Sequence, residues 1–188
     1  MLRDSALLMY LDNHRSKKAN PNENLGGELL ELFTLGEGSY RETDVKAAAR
    51  ALTGHSVNRK TGKFAFRKRW HDDGVKRFLN VVGRHDANDI TNIVLARPEA
   101  ANWLGKKLWM EFVAVEPSRK DLRQVAAALR QSNYSIRAAL RVILTSRAFM
   151  ASSTRGARIK SPVELLVGTL RRFDTHARQL GPHARLLE

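Results

Sequence analysis

Apolar side chains that recur every three or four residues dominate this chain, and such spacing admits little besides packed helices. Val45, Ala48, Ala49 and Leu52 stand at i, i+3, i+4 and i+7, and Ile136, Leu140, Ile143 and Leu144 share one face of a later segment. The spacing predicts helices over 4–12, 23–35, 43–53, 89–96, 98–114, 118–131, 136–146 and 162–174. Punctuation agrees with it. Asn22 or Asn24, Thr43, Asp86 or Asn88, and Ser135 are suitable N-caps. Pro98 and Pro162 suit first helical positions, and Gly36 and Gly54 suit stops. Between 55 and 85 the pattern changes. Residues 56–59 and 63–66 flank Lys60-Thr61-Gly62 as a hairpin would, and 67–74 reads as a charged loop. The expected fold class is all-α: an irregular multi-helix bundle with one small β-hairpin near 56–66. Residues 1–175 are expected to form a single helical domain, and 176–188 a frayed basic tail.

Composition removes several function classes. With 43% hydrophobic residues in 188, the chain can bury a core. No apolar run approaches the roughly 20 residues that span a bilayer. There is no cysteine, so disulfides, thiolate metal sites and cysteine nucleophiles are excluded. The opening MLRDSALLMYLDN reads as an amphipathic helix, because Asp4 and a short apolar run do not make an export signal. No P-loop, Gly-x-Ser-x-Gly or strand-borne Gly-x-Gly-x-x-Gly occurs.

Net charge is +14 and is unevenly distributed. Residues 1–44 hold 5 basic and 8 acidic residues, whereas 101–188 hold 16 and 6. Most of those C-terminal charges are arginines on the polar faces of helices, among them Arg119, Arg123, Arg130, Arg137, Arg141, Arg171 and Arg172. Such a field can neutralise phosphates, but no nucleic-acid-binding signature accompanies it.

Three segments carry candidate chemistry. In the 23–35 helix, Leu25, Leu29, Leu32 and Phe33 are expected on the inner face, with Leu30 and Leu35 flanking the other side. Leucine on nearly all sides implies burial, so Glu23, Glu28 and Glu31 would form an acidic site or pair with arginines such as Arg50. The second segment holds His55, His71, Asp72, Asp73, His85 and Asp86. Imidazole and carboxylate together suit zinc, manganese or iron, and His71, Asp72, His85 and Asp86 are the candidate metal ligands. Their spacing follows no compact ligand rule, and no cofactor is expected. Third, the 98–114 helix has an expected inward stripe of Ala101, Leu104, Leu108 and Phe112. Trp103 and Met110 fall opposite, beside Lys106 and Lys107, on a face that would pack against another part of the protein.

The motifs follow one another in a familiar order. Met9-Tyr10-Leu11-Asp12-Asn13 precedes Pro21-Asn22-Glu23-Asn24 and Glu28-Leu29-Leu30-Glu31-Leu32-Phe33-Thr34-Leu35-Gly36. Asp44-Val45, Ala49-Arg50-Ala51-Leu52-Thr53-Gly54, His71-Asp72-Asp73-Gly74-x-Lys76-x-Phe78-Leu79, Lys107-Leu108-Trp109 and Lys160-Ser161-Pro162-Val163-Glu164 complete the series. Over about 1–174 this resembles the uncharacterised bacterial family called domain of unknown function 1800. The resemblance implies longer, often exported relatives, frequently encoded beside a second exported, sulfatase-like protein. It brings no established catalytic residues. It also implies that Met1 lies inside the family domain and that this chain is its C-terminal half. The partner would then be the preceding half, packed on the Trp103 and Met110 face, or the exported neighbour. Two departures stand out: Gly27 replaces an arginine that would lie four residues from both Glu23 and Glu31, and His55 replaces an aromatic residue. The expected role is that of a non-enzymatic helical domain acting in protein association. The alternatives are a metal-assisted hydrolase-like site from the asparagine–glutamate helix and His–Asp loop, and polyanion binding by the arginine-rich helices.

Overall fold

Residues 1–174 are described in the structure, a computed structural model; the tail expected over 176–188 lies outside the described residues. Helix α1 (Ser5–Tyr10) begins at Asp4, whose carboxylate accepts the Leu7 N–H at 2.8 Å. Helix α2 (Asn24–Glu28) runs directly into a π-wound segment, Leu29–Thr34. There the Leu35 N–H donates to the Leu30 carbonyl, five residues back, at 2.8 Å. A π turn sets residues five apart on one face. Leu30 and Leu35 are therefore both buried, as are Leu25 and Leu29 of the entering α turn, while Leu32 and Phe33, expected inside, are 44% and 40% exposed.

Helix α3 (Glu42–Ala51) crosses α2 at Gly26. A Cβ at Gly26 would lie 3.1 Å from both the Ala49 nitrogen and the Val45 oxygen, so glycine lets the two backbones approach. The N-terminus of α3 is held by Asp44, whose carboxylate accepts the Arg41 N–H at 2.9 Å, and not by the expected Thr43. Strands β1 (His55–Val57) and β2 (Phe64–Phe66) form the expected antiparallel hairpin, with His55 opposite Phe66.

A second hairpin lies where only loop was expected. Strands β3 (Lys76–Phe78) and β4 (Val81–Gly83) pair antiparallel around Leu79 and Asn80, both left-handed at φ 46° and 70°. A two-residue turn with two positive φ angles matches the twist of paired strands, but leucine rarely adopts it. Burial of Leu79 and a 2.7 Å hydrogen bond from its N–H to Asp44 hold it there.

The rest is helical: α4 (Ala87–Leu95), α5 (Pro98–Val113), α6 (Arg119–Gln131), α7 (Ile136–Leu144), α8 (Arg147–Met150) and α9 (Pro162–Arg172). Asp86, Ser118, Ser135, Ser146 and Ser161 cap their helices through side-chain oxygens. Two apolar cores result. One gathers Leu8, Leu25, Leu30, Leu52, Phe78 and Ile90; the other gathers Trp109, Val113, Val125, Leu129 and Ile143. Helix α5 contributes Ala100 to the first and Ala101 to the second. Tyr134 packs against both, and its hydroxyl donates to the Leu95 carbonyl at 2.7 Å.

The inner stripe of α5 differs from the expected one. Ala101, Gly105, Trp109 and Val113 are buried, whereas Leu104 and Leu108 are half-buried and Phe112 is exposed. Close contact with α6 selects this face. A Cβ at Gly105 would lie 3.2 Å from Val125 Cγ1, so the smallest residue sits at the crossing and the larger leucines are turned aside.

Candidate functional site

Two of the sequence motifs meet in one polar knot. Arg50, on the last turn of α3, donates through Nε to Asp72 Oδ2 at 2.7 Å and through Nη2 to Asp72 Oδ1 at 3.3 Å. The Thr53 hydroxyl donates to the Arg50 carbonyl at 2.6 Å and accepts the Asp72 N–H at 2.8 Å. Lys76 has a fully buried side chain. Its ammonium donates to the carbonyls of Asp72 and Gly74 at 2.5 and 2.9 Å and stands 3.9 Å from Asp72 Oδ1. The Arg50 guanidinium holds the Asp72 carboxyl below its ordinary range, and burial pushes the Lys76 amine down. Gly54, at φ +82°, closes the knot: a Cβ there would lie 2.8 Å from the Arg67 carbonyl oxygen. Arg50, Asp72 and Lys76 are thus engaged with one another and with backbone, which is the chemistry of a structural clamp.

Beside the knot lies a cavity of about 340 Å³ lined by Arg3, His55, His71, Asp86, Phe64 and Phe66, among others. His71 Nδ1 sits 2.9 Å from the Thr53 carbonyl, and His55 Nδ1 sits 3.2 Å from the Leu2 carbonyl. A carbonyl cannot donate, so each Nδ1 carries a hydrogen, and a ring that is neutral keeps its lone pair at Nε2. Burial pushes the His55 imidazole down, which favours the neutral ring. Phe66 lies between the two imidazoles, with ring centroids 5.7 Å from His55 and 5.4 Å from His71. Asp86 Oδ1 accepts the N–H groups of Asn88 at 2.7 Å and Asp89 at 3.0 Å, and these bonds hold its carboxyl low. An apolar groove of about 440 Å³, lined by Leu29, Phe33 and Val94, shares Arg3, His55, Ala87 and Asn88 with this cavity. The chemistry available is proton acceptance at an imidazole and charge pairing at Arg3 or Asp86.

The expected site residues separate into groups. His71 and Asp86 line the same cavity, but Asp72 is turned to Arg50. His85 is buried, with Nε2 3.2 Å from the Val81 carbonyl. Glu31 accepts the Tyr40 hydroxyl at 3.4 Å; this charge, those of Glu28 and Glu37, and above all burial raise the Tyr40 hydroxyl. Glu23 and Asn24 are exposed, and the Asn22 side chain accepts the Asn24 N–H at 2.8 Å. Among the described residues, no three histidine, aspartate or glutamate side chains gather to hold a metal ion. Arg3 and Asp44 escaped the sequence reading. Asp44 lay inside a quoted motif but gave no sign of its long-range bond to Leu79.

Trp103 also has its partner within the chain. Its indole N–H donates to the Leu32 carbonyl at 3.1 Å, and Lys107 donates to the same oxygen at 2.6 Å. The π-wound segment leaves that carbonyl without a helical partner, and α5 supplies two donors. Gly36 receives the indole ring, where a Cβ would come within 2.7 Å. The Trp103 indole is therefore partnered by this chain's own residues and, like Met110, is half-buried.

These features define a mainly helical protein with two small hairpins, a polar clamp and an imidazole-lined cavity. The model of the family described as Protein of unknown function (DUF1800) matches residues 1–186, and the chain belongs to that family. No curated protein matches it, and neither does any solved structure. Among the described residues no helix is long and apolar enough to cross a membrane.

Proposed function

We propose that this chain works by association with another protein, through helix α9, and not by chemistry at its motif residues. One observation carries the reading: none of the residues of α9 is buried, although Val163, Leu166, Val167 and Leu170 recur at i, i+3, i+4 and i+7. Val163 and the flanking Leu165 are 61% and 57% exposed. The helix is well formed by local means. Pro162 opens it, the Ser161 hydroxyl accepts the Glu164 N–H at 3.1 Å, and Glu164 reaches back to the Ser161 N–H at 2.9 Å. A capped amphipathic helix whose apolar face is exposed at Val163 and no more than half-covered at Leu166, Val167 and Leu170 is suited to a groove on a partner. Lys160, Arg171 and Arg172 at its ends favour a groove with an acidic rim. The clamp formed by Arg50, Asp72 and Lys76 agrees with this, since it leaves those side chains little freedom to act on a substrate. The test is a photoreactive amino acid at position 163 in the native cells. One discrete adduct, lost in Leu166→Glu/Leu170→Glu, is expected. Absence of an adduct, or an unchanged adduct in the double variant, would overturn the reading.

A further inference from the structure

A cavity of about 560 Å³ lies away from the clamp and the imidazoles, and we propose that it binds a phosphate monoester. Three arginines from separate elements line it: Arg41 at the N-terminus of α3, Arg77 on β3 and Arg97 at the N-terminus of α5. Like charges brought together repel one another unless an anion lies between them. The single acid of the lining is Asp44, which accepts the Arg41 N–H at 2.9 Å and the Leu79 N–H at 2.7 Å and offsets one of the three positive charges, so the lining stays positive. Arg97 is paired with Glu99 at 3.1 Å, while Arg41 and Arg77 have no ion pair among the described residues. The acids around Tyr40, namely Glu28, Glu31 and Glu37, do not line the cavity.

Helices α3 and α5, of 10 and 16 residues, both begin at this cavity, and helix N-termini carry partial positive charge. Ser39, Thr43 and Asn80 supply neutral donors in the lining. Forked guanidinium groups match the oxygens of a phosphate in pairs. A volume of this size falls within the roughly 300–1,000 Å³ of small-ligand sites, so the phosphate would arrive with an organic body and not alone. The shared chemistry covers a soluble monoester and a lipid headgroup, and the two are separable by experiment.

Binding is measured by calorimetry at low ionic strength with inorganic phosphate, with glycerol 3-phosphate, and with phosphatidylcholine vesicles containing phosphatidic acid. Saturable binding of glycerol 3-phosphate, tighter than that of inorganic phosphate, is expected. Arg41→Gln and Arg77→Gln should each weaken it about tenfold or more, the loss of one charge-assisted contact. Arg123→Gln, on the exposed face of α6, should leave it unchanged. Binding to the vesicles alone, with the same arginine dependence, would make the lipid headgroup the source. No saturable binding of any probe, or binding equal in the wild type and in both arginine variants, overturns the proposal.

Discussion

Removing Asp72 tests whether the motif residues serve as a clamp. In the folded chain its carboxylate takes two donors of Arg50 at 2.7 and 3.3 Å and the Gly74 N–H at 2.9 Å. It is also the carboxylate nearest the buried Lys76 ammonium, 3.9 Å away. Asp72→Ala leaves that ammonium with only the more distant Asp73 and Asp86 as counter-charges. Removing one partner of a buried pair costs about 3–5 kcal/mol, and because the Asp72 side chain is 17% exposed, about 3 kcal/mol is expected here. Arg50 is 37% exposed, and without it Asp72 keeps the Gly74 N–H and the Lys76 charge, so Arg50→Ala should cost only about 1–1.5 kcal/mol. The two share one contact, so their coupling in a double-mutant cycle should be about 1 kcal/mol. At roughly 2–4 °C per kcal/mol for a chain of this size, Asp72→Ala should lower the Tm by about 6–12 °C. Urea unfolding followed by far-UV circular dichroism gives the free energies directly. An Asp72→Ala variant within about 0.5 kcal/mol of the wild type, or a coupling of zero, would refute the clamp.

The adjacent glycines of α2 should respond in opposite ways. Gly27 has only Val45 Cγ1, at 3.8 Å, near its would-be Cβ, so Gly27→Arg should gain about 1 kcal/mol of helix propensity and raise the Tm by roughly 2–4 °C. Gly26→Ala should melt below the Gly27 variant, because backbone atoms of α3 block the added methyl and overpacking costs about 1–3 kcal/mol; a higher Tm for Gly26→Ala would contradict the close crossing. His55 makes acid stability testable. Its folded-state pKa lies below the unfolded value of about 6.5, so its contribution is complete above that pH and is lost as pH falls through the folded value. His55→Phe, set between Phe64 and Phe66, should therefore show a smaller fall in Tm between about pH 7 and pH 5 than the wild type, and an equal fall would refute the assignment.

The family and the helical class were legible in the residues, and so were most helix starts, because a cap is a local event. Ser135 and Asp86 each bind an N–H two or three residues on, and a sequence window contains both partners. The candidate site was legible only in pieces. His71 and Asp86 could be nominated, but nothing in their spacing indicated that Asp72 would turn to Arg50, or that Arg3 and His55 would complete the cavity. The hairpin at β3 and β4 was missed because its turn is Leu79-Asn80, and leucine in a left-handed conformation is no turn signal.

What the sequence determined by itself is what short-range physics determines: where helices begin, that the chain is mainly helical, and that an apolar core forms. Which face of each helix turns inward was a tertiary decision. The π turn after Glu28 rotated Leu32 and Phe33 outward, and the crossing of α5 on α6 chose Gly105 and Trp109 over Leu104 and Leu108. The second outcome depends on how closely another helix can approach Gly105, and that distance is set by Val125, distant in the chain.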